Sequence, residues 1–186
     1  LDEKNQAGTE GLEYAASKGL GVVVMEPLRG GYLASNVPQE VQEIWDSAET
    51  PRSPVEWGLR YLWDYPEISV VLSGMSDLAQ IESNIKFAAD GFPNSLTEEE
   101  KKLISKVKEI YRSKTRVNCT GCRYCMPCPS GVNIPENLKH LNNAEMFDKI
   151  EEEKLIYSSL EGKASNCTEC GECEIKCPQK TPVREL

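Results

Sequence analysis

The sequence predicts an α/β chain with parallel strands, followed by a smaller, mainly helical module built around cysteines. Three observations carry this. Two continuous apolar runs of strand length, residues 20–25 and 68–72, alternate with segments of helical periodicity, the pattern of β-α-β-α units. All eight cysteines lie in the last part of the chain. Composition changes sharply at about Val117, which places the domain division between residues 1–116 and 117–186.

Taken in order, residues 9–18 form a helix stopped by Gly19. Leu-Gly-Val-Val-Val-Met over residues 20–25 has the unbroken apolar character of a strand buried on both faces. A loop with Pro27, Arg29, Gly30 and Gly31 follows, where backbone N–H groups can approach a phosphate, although a plain turn leaves the same signature. After a less regular segment, Ser53-Pro54-Val55-Glu56 opens a helix that runs to about Asp64, with Ser as cap, Pro in the first turn and Glu as reciprocal cap. Residues 68–72 are the second buried strand. Asp77 then caps a helix carrying Leu78, Ile81 and Ile85 on one face. Thr97 and Glu100 form a further capping box, ahead of a helix with Leu103, Ile104, Val107, Ile110 and Tyr111 on one side and a solvated lysine face on the other. Trp45, Trp57 and Trp63 are expected to be packing residues. Between the two cysteine runs, residues 134–160 are charged and helix-prone, with Pro135 in a first turn and residues 145–160 in a longer helix. His140, the single histidine, is expected at the surface of this stretch.

Hydrophobic content of 39% and charged content of 27% are those of a soluble globular protein. A net charge of -9 repels nucleic acid phosphates and anionic lipid, so neither is expected as a partner. No apolar stretch approaches the roughly 20 residues needed to cross a bilayer. With no charged start leading into an apolar segment, a cytoplasmic address is expected.

The cysteine runs are Cys119-Thr-Gly-Cys122-Arg-Tyr-Cys125-Met-Pro-Cys128-Pro129 and Cys167-Thr-Glu-Cys170-Gly-Glu-Cys173-Glu-Ile-Lys-Cys177-Pro178, an internal repeat. Their gaps are too tight for a network of extracellular disulfides, and in a reducing compartment such spacing holds metal. Three cysteines two residues apart can wrap one corner of a 4Fe-4S cube, because the turning backbone points successive thiolates at different irons. Where two such runs occur, the fourth cysteine, followed by Pro, ligates the other cluster. The expected ligand sets are therefore Cys119, Cys122, Cys125 and Cys177 for one cluster, and Cys167, Cys170, Cys173 and Cys128 for the other. The first run has one residue fewer than usual before its fourth cysteine, which makes Cys128 the ligand that depends most on local geometry. Two four-thiolate zinc sites would also use all eight cysteines. The third closely spaced cysteine and the Cys-Pro ending of both runs favour iron-sulfur.

The long helical insert is similar to the helical two-cluster ferredoxin modules of respiratory and methanogenic reductases. Residues 8–115 resemble the last two β-α units of an aldo-keto reductase barrel, and the cysteine tail matches a ferredoxin-bearing branch of that family. Val23-Met-Glu-Pro-Leu-Arg-Gly-Gly31 resembles the seventh strand and the loop over the cofactor pyrophosphate, which implies Pro27, Leu28, Arg29, Gly30 and Gly31 as cofactor-binding residues. Val71-Leu-Ser-Gly-Met-Ser-Asp-Leu-Ala-Gln-Ile-Glu-Ser-Asn84 resembles the eighth strand and the loop at the adenosine end, which implies Ser73, Gly74, Ser76, Gln80 and Asn84. Ser73 and Gln80 stand where many members carry lysine and arginine, so the cofactor implied for the complete protein is NADP or NAD. The fold implied is a partial (β/α)8 TIM barrel, its last β-α units, followed by a helical two-cluster ferredoxin-like domain. That family's catalytic Asp, Tyr, Lys and His belong to the first half of the barrel, so no catalytic residue is expected here, and the chain is expected to be the C-terminal part of a longer reductase. Two strands of a barrel leave unpaired edges and an apolar face. The N-terminal remainder of the barrel, the cluster module or a second copy of the chain is expected to cover them.

Three functions follow as expectations. The complete protein is an oxidoreductase using a nicotinamide cofactor, its clusters wired to a redox partner protein; splitting a hydride into single electrons then needs a group such as a flavin, for which this stretch shows no motif. Alternatively, the cysteine module is an electron-transfer or docking domain for a partner. In the third, the clusters are structural staples for a module with little core.

Overall fold

The computed structural model describes residues 7–35 and 37–186. They divide into two compact units, one ending at Glu109 and the other Ile110–Leu186. Among the described residues helix predominates and strands are few, so the α/β pattern survives only as a minor element of a mainly helical chain.

The first unit contains α1 (Gly8–Ser17), β1 (Val22–Val24), α2 (Gln39–Asp46), α3 (Pro54–Trp63), β2 (Ile68–Val71), α4 (Leu78–Ala89) and the start of α5 (Glu98–Lys114). Helix α1 ends as expected: Gly19 takes φ +68°, and Leu20 N–H returns to Ala15 C=O at 3.0 Å. Ser53 Oγ caps α3 by accepting from Glu56 N–H at 3.1 Å, but the Glu56 carboxylate turns to Arg60 (2.7 Å) instead of back to the cap. Thr97 and Glu100 cap α5 reciprocally, at 2.9 and 3.2 Å. The core holds Leu12, Val41, Trp45, Trp57, Leu59, Leu62 and Leu96, with Trp45 and Trp57 stacked at 4.8 Å. Helix α2 lies in the segment read as irregular; Val41, Ile44 and Trp45, at helical spacing, were its signal.

Strands β1 and β2 pair in parallel, Val22 with Ile68 and Val24 with Val71. The strands were expected to be buried on both faces, and they are not. Val23 is 53% and Val70 46% exposed, with Met25 and Leu72 exposed just beyond them. On α4, Leu78, Ile81 and Ile85 are also exposed. The apolar run forms a strand, but burial of a parallel sheet comes from flanking strands and helices on both faces, and among the described residues each strand has one neighbour.

The second unit contains the end of α5, then α6 (Ile134–Met146), α7 (Ile150–Ser158), α8 (Glu172–Lys176) and two short 3-10 turns, Ala164–Asn166 and Val183–Glu185. Pro135 sits in the first turn of α6 as expected. The single helix expected over residues 145–160 is instead interrupted, because Asp148 takes φ +54° and α6 and α7 fold back as a hairpin. Val117, Val132, Ile134 and Leu138 form the buried core, with Leu141, Met126 and Val183 packed against it. Buried Asn142 clamps Val117 from both sides, accepting from its N–H and donating to its C=O, each at 2.8 Å. His140 is not a surface residue. Its side chain is 11% exposed, with Nδ1 2.5 Å from Glu153 Oε2 across the hairpin and Nε2 3.4 Å from Glu136 Oε1 on its own helix. No helix of the described residues is long and apolar enough to cross a membrane.

Candidate metal centre

The two cysteine runs fold as a backbone repeat. In each, the residues on either side of the second cysteine take left-handed φ: Gly121 (+71°) and Arg123 (+64°) in the first, Glu169 (+56°) and Gly171 (+78°) in the second. In each, the residue after the third cysteine donates back to the second of these: Met126 N–H to Arg123 C=O at 2.9 Å, Glu174 N–H to Gly171 C=O at 3.1 Å. In each, the fourth cysteine and its proline open a turn, closed by Gly131 N–H to Cys128 C=O (3.0 Å) and by Lys180 N–H to Cys177 C=O (3.1 Å). Such turns gather backbone N–H groups into concavities that suit anions, iron-sulfur sites among them. The runs differ between third and fourth cysteine, where Met126-Pro127 faces Glu174-Ile175-Lys176 and the extra residue allows α8.

The fold brings thiols of both runs together. Cys119, Cys122, Cys125, Cys173 and Cys177 line one hollow, walled by Ile134 and Leu138. Burial pushes the Cys125 thiol up, its own backbone N–H opposes this, and the charges of Cys119, Cys122 and Cys177 push it further. Burial also raises Cys173, with Glu174 and Cys167 adding and N–H groups of the run opposing. Cys128 packs against the core beside Cys119, Cys125 and Cys173. Glu169 N–H donates to Cys167 Sγ at 3.3 Å. Cys177 Sγ lies 3.6 Å from the hydroxyl of buried Thr181, which in turn donates to Asn118 C=O at 3.5 Å. As thiols these groups can lie side by side, and as thiolates they would need a positive centre among them. Among the described residues no group of three or more Cys, His, Asp or Glu is placed to hold one metal ion. An all-thiolate donor set with backbone N–H groups at sulfur and an apolar wall fits iron-sulfur clusters.

The residues implied for a nucleotide lie in the first unit. Both loops leave the carboxyl ends of adjacent parallel strands, the edge where α/β sheets bind ligands. Asn84 Nδ2 donates to Ser73 Oγ at 3.2 Å and Ser76 N–H to Gln80 Oε1 at 3.1 Å, which joins four of the five positions in the second loop as two separate pairs; Gly74 lies between Ser73 and Ser76 in sequence. In the first loop, Arg29, Gly30 and Gly31 all take left-handed φ. Gly31 N–H is committed to Leu28 C=O and Tyr32 N–H to Arg29 C=O, at 3.1 and 3.3 Å, so these donors turn into the loop. Pro27 opens that loop.

Sequence reasoning missed Asn142, Thr181, His140 and Arg184. Arg184, next to the C-terminus, donates to Glu174 through its backbone N–H (2.9 Å), Nε (3.0 Å) and Nη2 (2.7 Å). The Glu136/His140 spacing of one helical turn was a visible signal. The roles of Asn142 and Arg184, and the Thr181 bond to Asn118, depend on partners at least ten residues away.

Residues 118–181 match the 4Fe-4S dicluster domain family. The match spans both cysteine runs and the α6–α7 hairpin, and this part of the chain is an iron-sulfur domain of ferredoxin type. Searches of curated proteins and of solved structures found no match.

Proposed function

We propose that this chain is the iron-sulfur end of an oxidoreductase, a two-cluster electron-transfer module following the closing β-α units of an aldo-keto reductase barrel. The observation that carries the first half is that one hollow is lined by cysteines of both runs, Cys119, Cys122 and Cys125 from the first with Cys173 and Cys177 from the second. The ligand sets proposed from the spacing of the two runs are Cys119, Cys122, Cys125 and Cys177 for one cluster, and Cys167, Cys170, Cys173 and Cys128 for the other. When bound, the clusters supply one-electron transfer. The chain's own work is to hold them: Glu169 N–H supports the Cys167 sulfur, and the core under Cys125 excludes water from one side. Iron and acid-labile sulfide in anaerobically purified protein test this. Two four-iron, four-sulfide clusters per chain are expected; two tightly bound zincs without sulfide would overturn it.

The barrel half of the proposal is supported by the parallel pairing of β1 and β2, by the exposed apolar face of Val23 and Val70, and by the two loops sharing one sheet end. On this reading Pro27, Leu28, Arg29, Gly30, Gly31, Ser73, Gly74, Ser76, Gln80 and Asn84 form part of an NADP or NAD site completed by the rest of a cytoplasmic reductase. The chain alone lacks the family's catalytic residues, so it shows no carbonyl reductase turnover; NADPH-dependent activity from it would sink the fragment reading. In the complete protein, clusters reduced by NADPH support the oxidoreductase. Reduction only by a ferredoxin-type donor supports the partner-docking module instead.

A further inference from the structure

The repeat relates not only the cysteines but two arginines. Position for position, Arg123 of the first run corresponds to Gly171 of the second, and both take left-handed φ. Arg123 lines the hollow with Cys119, Cys122 and Cys125. Gly171 has no side chain to place there, yet a guanidinium is present. A methyl group built on Gly171 would sit 3.4 Å from Arg184 Cζ and 3.6 Å from its Nε, so the Arg184 guanidinium lies in contact over the turn between Cys170 and Cys173. Glu174, on α8, fixes it there through two hydrogen bonds from Nε and Nη2, with a third from the Arg184 backbone N–H. The first run supplies its arginine from within, and the second borrows one from the C-terminal turn.

We propose that Arg123 and Arg184 are paired redox-tuning residues, each holding a fixed positive charge beside one of the two cysteine sites and raising the potential of the cluster bound there. This rests on the ligand sets given above. The physical reason is that taking up one electron makes a thiolate-held cluster more negative, so a cation at its rim favours the reduced form, and net charge is among the terms that set such potentials. Arg184 senses the negative charge of Cys173 and Glu169 after that of Glu174, which places it on the side of the second run. The Arg184 guanidinium has a carboxylate companion, Glu174, at 2.7 Å. The companion on the second run opposes the arginine, because the Glu174 carboxylate is negative and directly follows Cys173 in sequence.

The test is a stepwise dithionite reduction of the anaerobically loaded full chain, with mediator dyes, followed by electron paramagnetic resonance. Arg184→Gln is expected to lower one midpoint so that the reduced-to-oxidised ratio at fixed potential falls about threefold, roughly half of the 59 mV that a tenfold change represents for one electron. Arg123→Gln lowers the other midpoint by a similar factor. Arg184→Lys keeps the charge and stays near wild type, and Glu174→Gln raises the midpoint that Arg184→Gln lowers. Lys154→Gln removes an equal charge from the exposed Glu151 pair on α7 and leaves both midpoints in place. Should Arg184→Gln fail to take up iron, the Glu174→Gln shift decides. Full iron and sulfide with unmoved midpoints, or equal movement of both by either arginine, would overturn the proposal and leave the cluster assignment standing. A wild-type chain without iron and sulfide would overturn the assignment itself.

Discussion

The two cysteine runs share their turns but not their surroundings. The first is set against the buried core of Val117, Val132, Ile134 and Leu138, which Cys119, Cys125 and Cys128 touch, and all four of its cysteines are partly buried. The second leaves Cys167 and Cys170 exposed and meets the core through Cys173. Equal turns in unequal surroundings show that the cysteine geometry is a local property of the backbone. Burial is added by the hairpin and the chain that follows. The first run is thus part of the folding core, and the second is a site mounted on it.

Replacing one cysteine in each run breaks this comparison most severely. Cys170→Ser is expected to lose about half of the iron, one of two equal clusters, while the far-UV helical signal stays. Cys125→Ser is expected to lose iron from both sites and part of the helical signal, because it opens the packed corner to which the second run is tied through Cys177. Iron analysis beside circular dichroism checks both. Equal losses in the two variants would refute a division between core and mounted site.

Both runs are preceded by an asparagine clamp from α6, but the two differ in reach. Asn142 satisfies both backbone groups of one residue, Val117, just before the first run, whereas Asn137 accepts from Ala164 N–H and donates to Gly162 C=O, each at 2.9 Å, ahead of the second. Asn142→Leu strands a buried N–H and C=O, which costs about 2–4 kcal/mol. Denaturant unfolding followed by cluster absorbance should read a midpoint shift of that size.

The cysteine spacing made the site legible because metal ligation and backbone turns are both short-range. Helix starts were legible for the same reason: Ser53, Asp77 and Thr97 cap where their spacing placed them. Legibility failed where an outcome depends on what packs against a residue. Residues 20–25 carry a strand of the right type, yet nothing in their own pattern says that Val23 lies open. His140 looked like a surface residue because its partner Glu153 comes from α7, and the hairpin that joins them turns at Asp148, a residue with no glycine to announce it. Arg184 could not be placed at all without the fold that lays it on Gly171.

A smaller effect compares the turns directly. The first left-handed position is glycine in one run, Gly121, and glutamate in the other, Glu169. Left-handed φ is free for glycine and costs other residues about 1–2 kcal/mol. Gly121→Ala is therefore expected to destabilise the module by about 1 kcal/mol, and Glu169→Gly to stabilise it by up to about 1 kcal/mol. Opposite signs in a denaturation series would support equivalent turns; a loss of stability in Glu169→Gly would mean that its side chain matters more than its backbone.

The smallest effect concerns the carboxylate beside the first run. The Lys139 ammonium holds the Glu136 carboxyl below the usual glutamate range, with His140 and Arg123 adding, while burial opposes them. A carboxyl whose pKa is lowered on folding contributes stability that is complete above its unfolded-state pKa and is lost as pH falls through the folded value. Lys139→Gln returns the folded value towards the ordinary one and removes that contribution. Because the pair sits one turn apart on an exposed stretch of α6, the loss at neutral pH is only about 0.2–0.5 kcal/mol after solvent screening. Wild type and variant should converge in acid, below the folded Glu136 value. An acid limb that Lys139→Gln leaves in place would overturn this account of the Glu136 carboxyl.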